Sequence, residues 1–360
     1  VLFLFFYLPQ SSYVFLIEED SAMRLEEFGP LSFTTMAIIR YVIMLWKLDR
    51  FAACVDVVAN DWRQADDKIC RPIMLRYAKA SRLFTKLYAC VMYGGVGFYT
   101  WVLPFVNNHD KAHNSTNRPL PYPVEFFVLD AQNSPMYEIV FVGYSISMLG
   151  IVCTTTCGIC TITVKLVMHA CSQFEIVVAF VHSLDDYNLK NELNDLVDNA
   201  AKNVHVEWRI AEIIRRHLYA LAFVDLIEEI LNEICLIDVV GGTLNICIVG
   251  YYLLTEWNNS QAIGLVTYFM LWLTMVSSVF VFCFIGEHLS EQCEQVGIAI
   301  YMTNWWKMRN DQMKAMILVI ASSQIPVKFT AGKMATLSLL TFGSVMKASM
   351  AYLNALRTVM

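Results

Sequence analysis

The chain has 360 residues, of which 57% are hydrophobic and 16% charged, and its mean hydropathy is +0.49. That apolar excess excludes an ordinary water-soluble domain of this length and describes a polytopic membrane protein. The net charge of -6 is small for the size. No basic cluster is long enough to track phosphates, so a nucleic-acid partner is set aside.

A bilayer core of roughly 30 Å needs about 20 apolar residues per helix. In chain order the spans fall at residues 1–17, 31–47, 83–106, 137–168, 236–255, 261–286 and 334–358. The first begins inside an apolar run with no basic leader, so it is expected to be a span whose start lies outside the sequence rather than a signal peptide.

Positive charge orients the spans. Between spans two and three lie Lys47, Arg50, Arg63, Lys68, Arg71, Arg76, Lys79, Arg82 and Lys86, so this connection is cytoplasmic. The connections after spans four and six are also basic, whereas those after spans one, three and five are not. The sequons at Asn114 and Asn258 fall in loops that the charge places outside, where they are candidate glycosylation sites. The resulting fold class is an all-α bundle of seven transmembrane helices with an intracellular N-terminus and an extracellular C-terminus.

By this division residues 1–168 hold helices one to four, with an outer lid loop at 107–136 that contains Pro119, Pro121 and Pro123. Residues 169–235 form a cytoplasmic helical anchor, and 236–286 hold helices five and six. Residues 287–330 are a cytoplasmic loop with an amphipathic helix at 311–325, and 331–360 hold the last helix. Cys153, Cys157 and Cys160 share an apolar run at helical spacing without further ligands, so they read as packing residues, and no metal or other cofactor is expected.

The last span has one polar, small-residue face. At 100° per residue, Ser344, Lys347, Ala351, Asn354, Ala355 and Thr358 fall within about a third of the circumference. A lysine at membrane depth costs roughly 2.5 kcal/mol or more unless it meets water, a partner or the interface. The stripe therefore faces either a water-filled path or a neighbouring helix.

The stretch FTAGKMATLSLLTFGSVMKASMAYLNALRT, with Ala331-Gly332-Lys333, Ser338-Leu339, Thr341-Phe342, Lys347, Ser349 and Ala351-Tyr352, closely resembles the C-terminal signature of insect odorant receptors. NDWRQ at 60–64, RPLPYP at 118–123 and SPMYEIVF at 134–141 resemble further recurring features of that family. The chain lacks the long insertion between spans four and five of the shared co-receptor, so it resembles a ligand-specific tuning subunit. The resemblance implies an odorant-gated, non-selective cation channel in the plasma membrane of a sensory neuron dendrite. The channel would be a heterotetramer with co-receptor subunits around a central pore walled by the last helix. The family's gate region maps near Ala355, Thr358 and Val359, which joins Val359 to the stripe. Lys347 and Arg357 depart from what a cation path favours, and a single copy among four subunits suits them best.

A small volatile organic ligand needs an apolar cavity with a few polar groups. The outer halves of the spans supply Phe33, Met36, Tyr93, Gly94, Gly97, Trp101, Tyr144, Met148, Tyr251 and Tyr252, each of which could equally pack against lipid or another helix. Gly94, Gly97 and Trp101 share a helical face, where missing side chains would leave room beside an indole.

Rival readings are a G-protein-coupled receptor and a gustatory-type channel. Asp49-Arg50-Phe51 imitates the receptor motif but follows span two, and the orientation is reversed. The gustatory Thr-Tyr and Gln-Phe pairs are replaced by Ala351-Tyr352 alone. A transporter would show paired broken helices, and an enzyme a cluster of His, Cys or carboxylates. Neither pattern is present. Asp225, Glu228, Glu229 and Glu233 read as the solvated face of a cytoplasmic helix.

Overall fold

The computed structural model describes residues 2–17, 21–65, 68–102, 104, 134–193, 199–259, 262–325 and 327–359. The expected lid loop, apart from its last three residues, and Asn114 lie outside the described residues.

The chain is almost entirely helical. Helix α1 (Leu2–Ser12) runs into a π-helical turn at Tyr13–Ile17, followed by α2 (Ser21–Trp46), α3 (Leu48–Gln64) and α4 (Cys70–Trp101). Next, α5 (Met136–Ser145) passes through a π-helical stretch, Ile146–Cys153, into α6 (Thr154–Leu193). Then come α7 (Asn199–Asn259), α8 (Ala262–Met302), α9 (Asn310–Ser323), a short hairpin of β1 (Thr330–Ala331) and β2 (Ala335–Thr336), and α10 (Leu339–Val359).

Among the described residues, four stretches are long and apolar enough to cross a membrane: Glu27–Trp46, Met136–Asp185, Val204–Trp257 and Ala262–Met302. The other three expected spans fall on α1, α4 and α10, which are shorter or interspersed with small and polar residues. At 1.5 Å per residue the 61 residues of α7 reach about 90 Å. The helix therefore projects far beyond any bilayer. Its extension packs with α3, the far ends of α6 and α8, and α9 into an anchor at one end of the bundle.

Two boundaries differ from the sequence expectation. Residues 287–302, expected as loop, continue α8, because Leu289, Cys293, Val296 and Ile300 bury one helical face. The last helix begins at Leu339 rather than 334. Gly332 and Lys333 both take positive φ, near 59°, in the turn of the β1–β2 hairpin, a conformation that glycine adopts at least cost. The Gly332 amide donates to the Asn232 carbonyl at 2.8 Å, docking the turn on α7. Ser338 then caps α10: its hydroxyl accepts from the Thr341 amide at 3.2 Å, and its carbonyl takes the Phe342 amide at 3.0 Å. Gly332 and Ser338 of the C-terminal signature are thus the residues that stop one element and start the next.

Glu228, Glu229 and Glu233 each have a partner, while Glu229 and Glu233 remain exposed as expected of a solvated face. Thr330 donates to Glu228 at 2.7 Å, Arg50 pairs with Glu229, and Lys47 pairs with Glu233 at 3.1 Å. Arg50, the centre of the apparent receptor motif, thus serves the docking of α3 on α7. Asp225 remains exposed. In NDWRQ, Asp61 accepts from Gln173 at 3.1 Å and Tyr219 at 2.7 Å, and meets His169 Nε2 at 2.8 Å. One carboxylate thereby ties α3 to both α6 and α7. Burial, aided by the bond to Asp61, pushes the Tyr219 phenol pKa well above its ordinary value.

Inside the bundle, Arg40 of α2 meets Asp238 of α7 at 2.9 Å, their side chains only 4% and 2% exposed. Asp238→Asn is expected to lower stability by about 3–5 kcal/mol, since Arg40 is left buried without its counter-charge. Replacing both, Arg40→Met with Asp238→Leu, should recover most of the loss. Thermal unfolding of the solubilised protein checks this; unchanged melting of the Asn variant would contradict it.

Candidate functional site

At the end of the bundle away from the anchor, α2, α4, α7, α8 and the π-helical stretch enclose a cavity of about 50 Å³. Phe33, Val96, Tyr99, Met148, Ile248, Val249, Tyr252, Tyr268, Leu271 and Met275 form its apolar wall. Three tyrosines cluster along one side, with Tyr268 in contact with the other two. Tyr252 stacks on Tyr268 at 5.7 Å, and Tyr99 meets Tyr268 edge-on at 6.3 Å.

The polar pole is Asn245, which is 1% exposed. Its Nδ2 donates to the Gly241 carbonyl at 2.9 Å and lies 3.3 Å from the Met36 sulfur, while its Oδ1 accepts from Ser32 at 2.8 Å. These bonds lock the amide across the α2–α7 interface. Met148 lies in the π-helical stretch and takes a 3.7 Å contact from the Thr34 hydroxyl. Such stretches re-aim side chains and recur at functional sites. Anything larger than a few water molecules enters only if Met148, Leu271 and Met275 give way, and the unbranched methionines are suited to that.

Of the sequence candidates, Phe33, Met148 and Tyr252 line the cavity. Met36 lies behind Asn245, and Tyr144 is buried nearby without reaching the cavity wall. Tyr251 is half-buried and packs edge-on against Tyr252 at 5.3 Å. Tyr93, Gly94, Gly97 and Trp101 are not brought in. Tyr93 bonds Thr154 at 2.8 Å on the outside of the bundle, a Cβ on Gly97 would meet nothing within 4 Å, and Trp101 is 56% exposed against Phe141.

The reason is helical phase. Met92, Val96 and Tyr99, buried in the structure, centre about 150–170° around α4 from the face of Gly97 and Trp101. Both faces are apolar, so periodicity alone did not choose between them. Asn245, Tyr99 and Tyr268 line the cavity but are not among the residues expected from the sequence. The available signal for Asn245 was a lone amide in the apolar run GGTLNICIVGYYLL.

On α10, Ser344, Lys347, Ala351, Asn354, Ala355 and Thr358 are all exposed, while Val345, Ser349 and Leu353 bury the opposite face on the bundle. Ser349 donates to the Thr243 carbonyl of α7 at 3.3 Å. Leu353 packs at Gly250, where an added Cβ would lie 2.9 Å from it. The polar stripe thus points away from the bundle. Val359 ends the helix, and Asn258 lies in the last turn of α7.

The family model for the 7tm odorant receptor matches residues 23–350. The chain belongs to the odorant receptor family. Among relatives, Odorant receptor 13a of Drosophila melanogaster is 27% identical over 81% of this chain and 68% of its own length. Odorant receptor 10 of Aedes albopictus is 22% identical over 67% of this chain and 61% of its own. The fold matches the insect olfactory receptor OR5 from Machilis hrabei with a TM-score of 0.73 at 14% identity, covering 100% of this chain and 87% of that one. The same receptor in complex with eugenol matches with a TM-score of 0.71 at 15% identity. This is a seven-transmembrane fold, and the family is one of receptors rather than enzymes.

The phase of α4 is open to test. Tyr99→Ala should cost about 3 kcal/mol of stability, and Trp101→Ala about 1 kcal/mol or less. Melting temperatures of the two solubilised variants check the order, and the reverse order would turn the helix around.

Proposed function

We propose that this chain is the ligand-specific subunit of an odorant-gated, non-selective cation channel in the plasma membrane, and that it catalyses no reaction. The carrying observation is the small, almost wholly apolar cavity with three clustered tyrosines and a single buried amide, in a member of the odorant receptor family. Such walls suit a volatile organic molecule of low polarity. The tyrosine faces hold an apolar or aromatic body, and the hydrogen-bonding group of the ligand turns toward Asn245 and Ser32. In this reading Phe33, Met148 and Tyr252 contact the ligand, and Met36 and Tyr144 support the contact residues.

The stripe of Ser344, Lys347, Ala351, Asn354, Ala355 and Thr358, exposed on a single subunit, supports a role facing a shared water-filled path, with Val359 at its outer end. Co-receptor subunits would complete a heterotetramer, and their presence dilutes the charge of Lys347 and Arg357 around the path. The basic connections support a cytoplasmic anchor and N-terminus. An extracellular C-terminus follows, with glycosylation possible at Asn114 and Asn258. The complex of OR5 with eugenol supports ligands of this chemical class.

Co-expressed with the co-receptor under voltage clamp, Tyr252→Ala and Asn245→Ala are each expected to raise the odorant concentration for half-maximal current several-fold, as loss of on the order of 1 kcal/mol of contact requires. Trp101→Ala should leave it unchanged at equal surface expression. A shift from Trp101→Ala with none from Tyr252→Ala would move the ligand to the other face of α4.

A further inference from the structure

A second cavity, of about 240 Å³, opens between α3, α4 and α6. Its walls include Trp62, Tyr77, Ser81, Arg82, Lys165 and His169. Arg82 immediately precedes the expected third span and Lys165 lies three residues before the end of the fourth, so the cavity sits at the level where the bilayer ends.

The cations here are unpaired. Lys79, Arg82 and Lys86 are exposed on one face of α4, at spacings of three and four residues. Among the described residues none of the three, nor Lys165, has an ion-pair or hydrogen-bond partner. Neighbouring cations differ: Arg76 pairs with Glu175, and Arg216 bonds Glu212 at 2.6 Å. Asp61, the carboxylate beside Trp62, spends both oxygens on His169, Gln173 and Tyr219. Exposed basic side chains that converge on a cavity at a membrane boundary suit a phosphate-bearing headgroup, whose acyl chains remain in the bilayer.

We infer that the α3–α4–α6 cavity is a binding site for the phosphate of an anionic membrane lipid, held by Arg82 and Lys165, with Lys79 and Lys86 drawing the headgroup in. Tyr77, Ser81 and Trp62 line the remaining wall; the Tyr77 hydroxyl is hydrogen-bonded to Glu175 and the Ser81 hydroxyl donates to the Ala78 carbonyl at 3.0 Å, so the two cations carry the site. The site is separate from the odorant cavity and does not depend on the channel reading. An occupied headgroup would brace α3 and α4 against α6, the region that Asp61 already cross-links.

The test uses the full chain in nanodiscs of phosphatidylcholine alone, or with a phosphatidylinositol phosphate added, and reads the melting temperature. The phosphoinositide is expected to raise melting of the parent chain by mass action. Arg82→Gln with Lys165→Gln should abolish the rise while melting like the parent in phosphatidylcholine alone, and Lys314→Gln, an exposed cation on α9, should retain it. Arg82→Gln alone should retain part of the rise, which keeps the test usable if the double variant fails to fold. No rise in the parent, or an equal rise in the folded Arg82→Gln and double variants, would overturn the site. A rise reproduced in phosphatidylcholine discs by inorganic phosphate or a soluble inositol phosphate would overturn the lipid as its source.

Discussion

One buried ion pair fixes the geometry on which both the cavity and the last helix depend. Arg40 and Asp238 meet at 2.9 Å with almost no exposure, in a part of the bundle where a charge without a partner costs several kcal/mol. Neither residue can move along its helix without abandoning the other. The pair therefore sets the register of α2 against α7. Within two turns of it, Met36 lies where a side chain on Gly241 would have to go, and Asn245 bonds Ser32 at 2.8 Å. The close approach, the bonds of the amide and the cavity it faces all lie along that one interface.

Helix α7 turns this alignment into a connection between distant parts. It packs on α2, α3, α6, α8, α9, α10 and the β1 strand. Asn245, Ile248, Val249 and Tyr252 give one face of it to the cavity, while Thr243 and Gly250 give another to Ser349 and Leu353 of α10. In the proposed function, a ligand that widened the cavity would push on the same two turns of helix that hold α10. A shift there is transmitted over a few ångströms of packed contact, because close-packed interiors move in discrete steps rather than deforming smoothly. At the far end the anchor holds α7 through Asp61, Lys47 and Arg50, so displacement at the cavity is not lost into rotation of the whole helix.

The parts of this arrangement legible in the sequence were those with a polar signal in an apolar background. The stripe on α10 follows from spacing alone; its residues from Ser344 to Thr358 are exposed, as are Leu340, Met350 and Tyr352 off the stripe. Gly332 and Ser338 were noted within the signature, although their roles as turn and cap emerge only from φ angles and hydrogen bonds. Where a helix is apolar all round, as α4 is beyond Tyr88, the sequence has no phase, because lipid and protein interior accept the same residues. The face of Gly97 and Trp101 therefore cannot be told by composition from the face of Val96 and Tyr99. Arg40 and Asp238 stood in plain view within the second and fifth spans, yet a lone charge does not announce its partner. Glu229 and Glu233 are exposed, as their composition suggests, but their pairing with Arg50 and Lys47 is not legible in it, because a solvated face and a docking face have the same composition.

The central claim is that a ligand held between α2, α4 and α7 opens a water-filled path along the polar stripe of α10. Cysteine substitutions introduced singly along α10, with odour-evoked current read before and after a charged, water-soluble thiol reagent, address it most directly. The account predicts that cysteines at Ser344, Ala351, Asn354 and Thr358 alter the current when modified, faster with odorant present. Cysteines at Val345, Ser349 and Leu353 should not, and the parent chain, with its own exposed Cys90, should be insensitive. Modification confined to the buried face, or equal on both faces and indifferent to odorant, would contradict it.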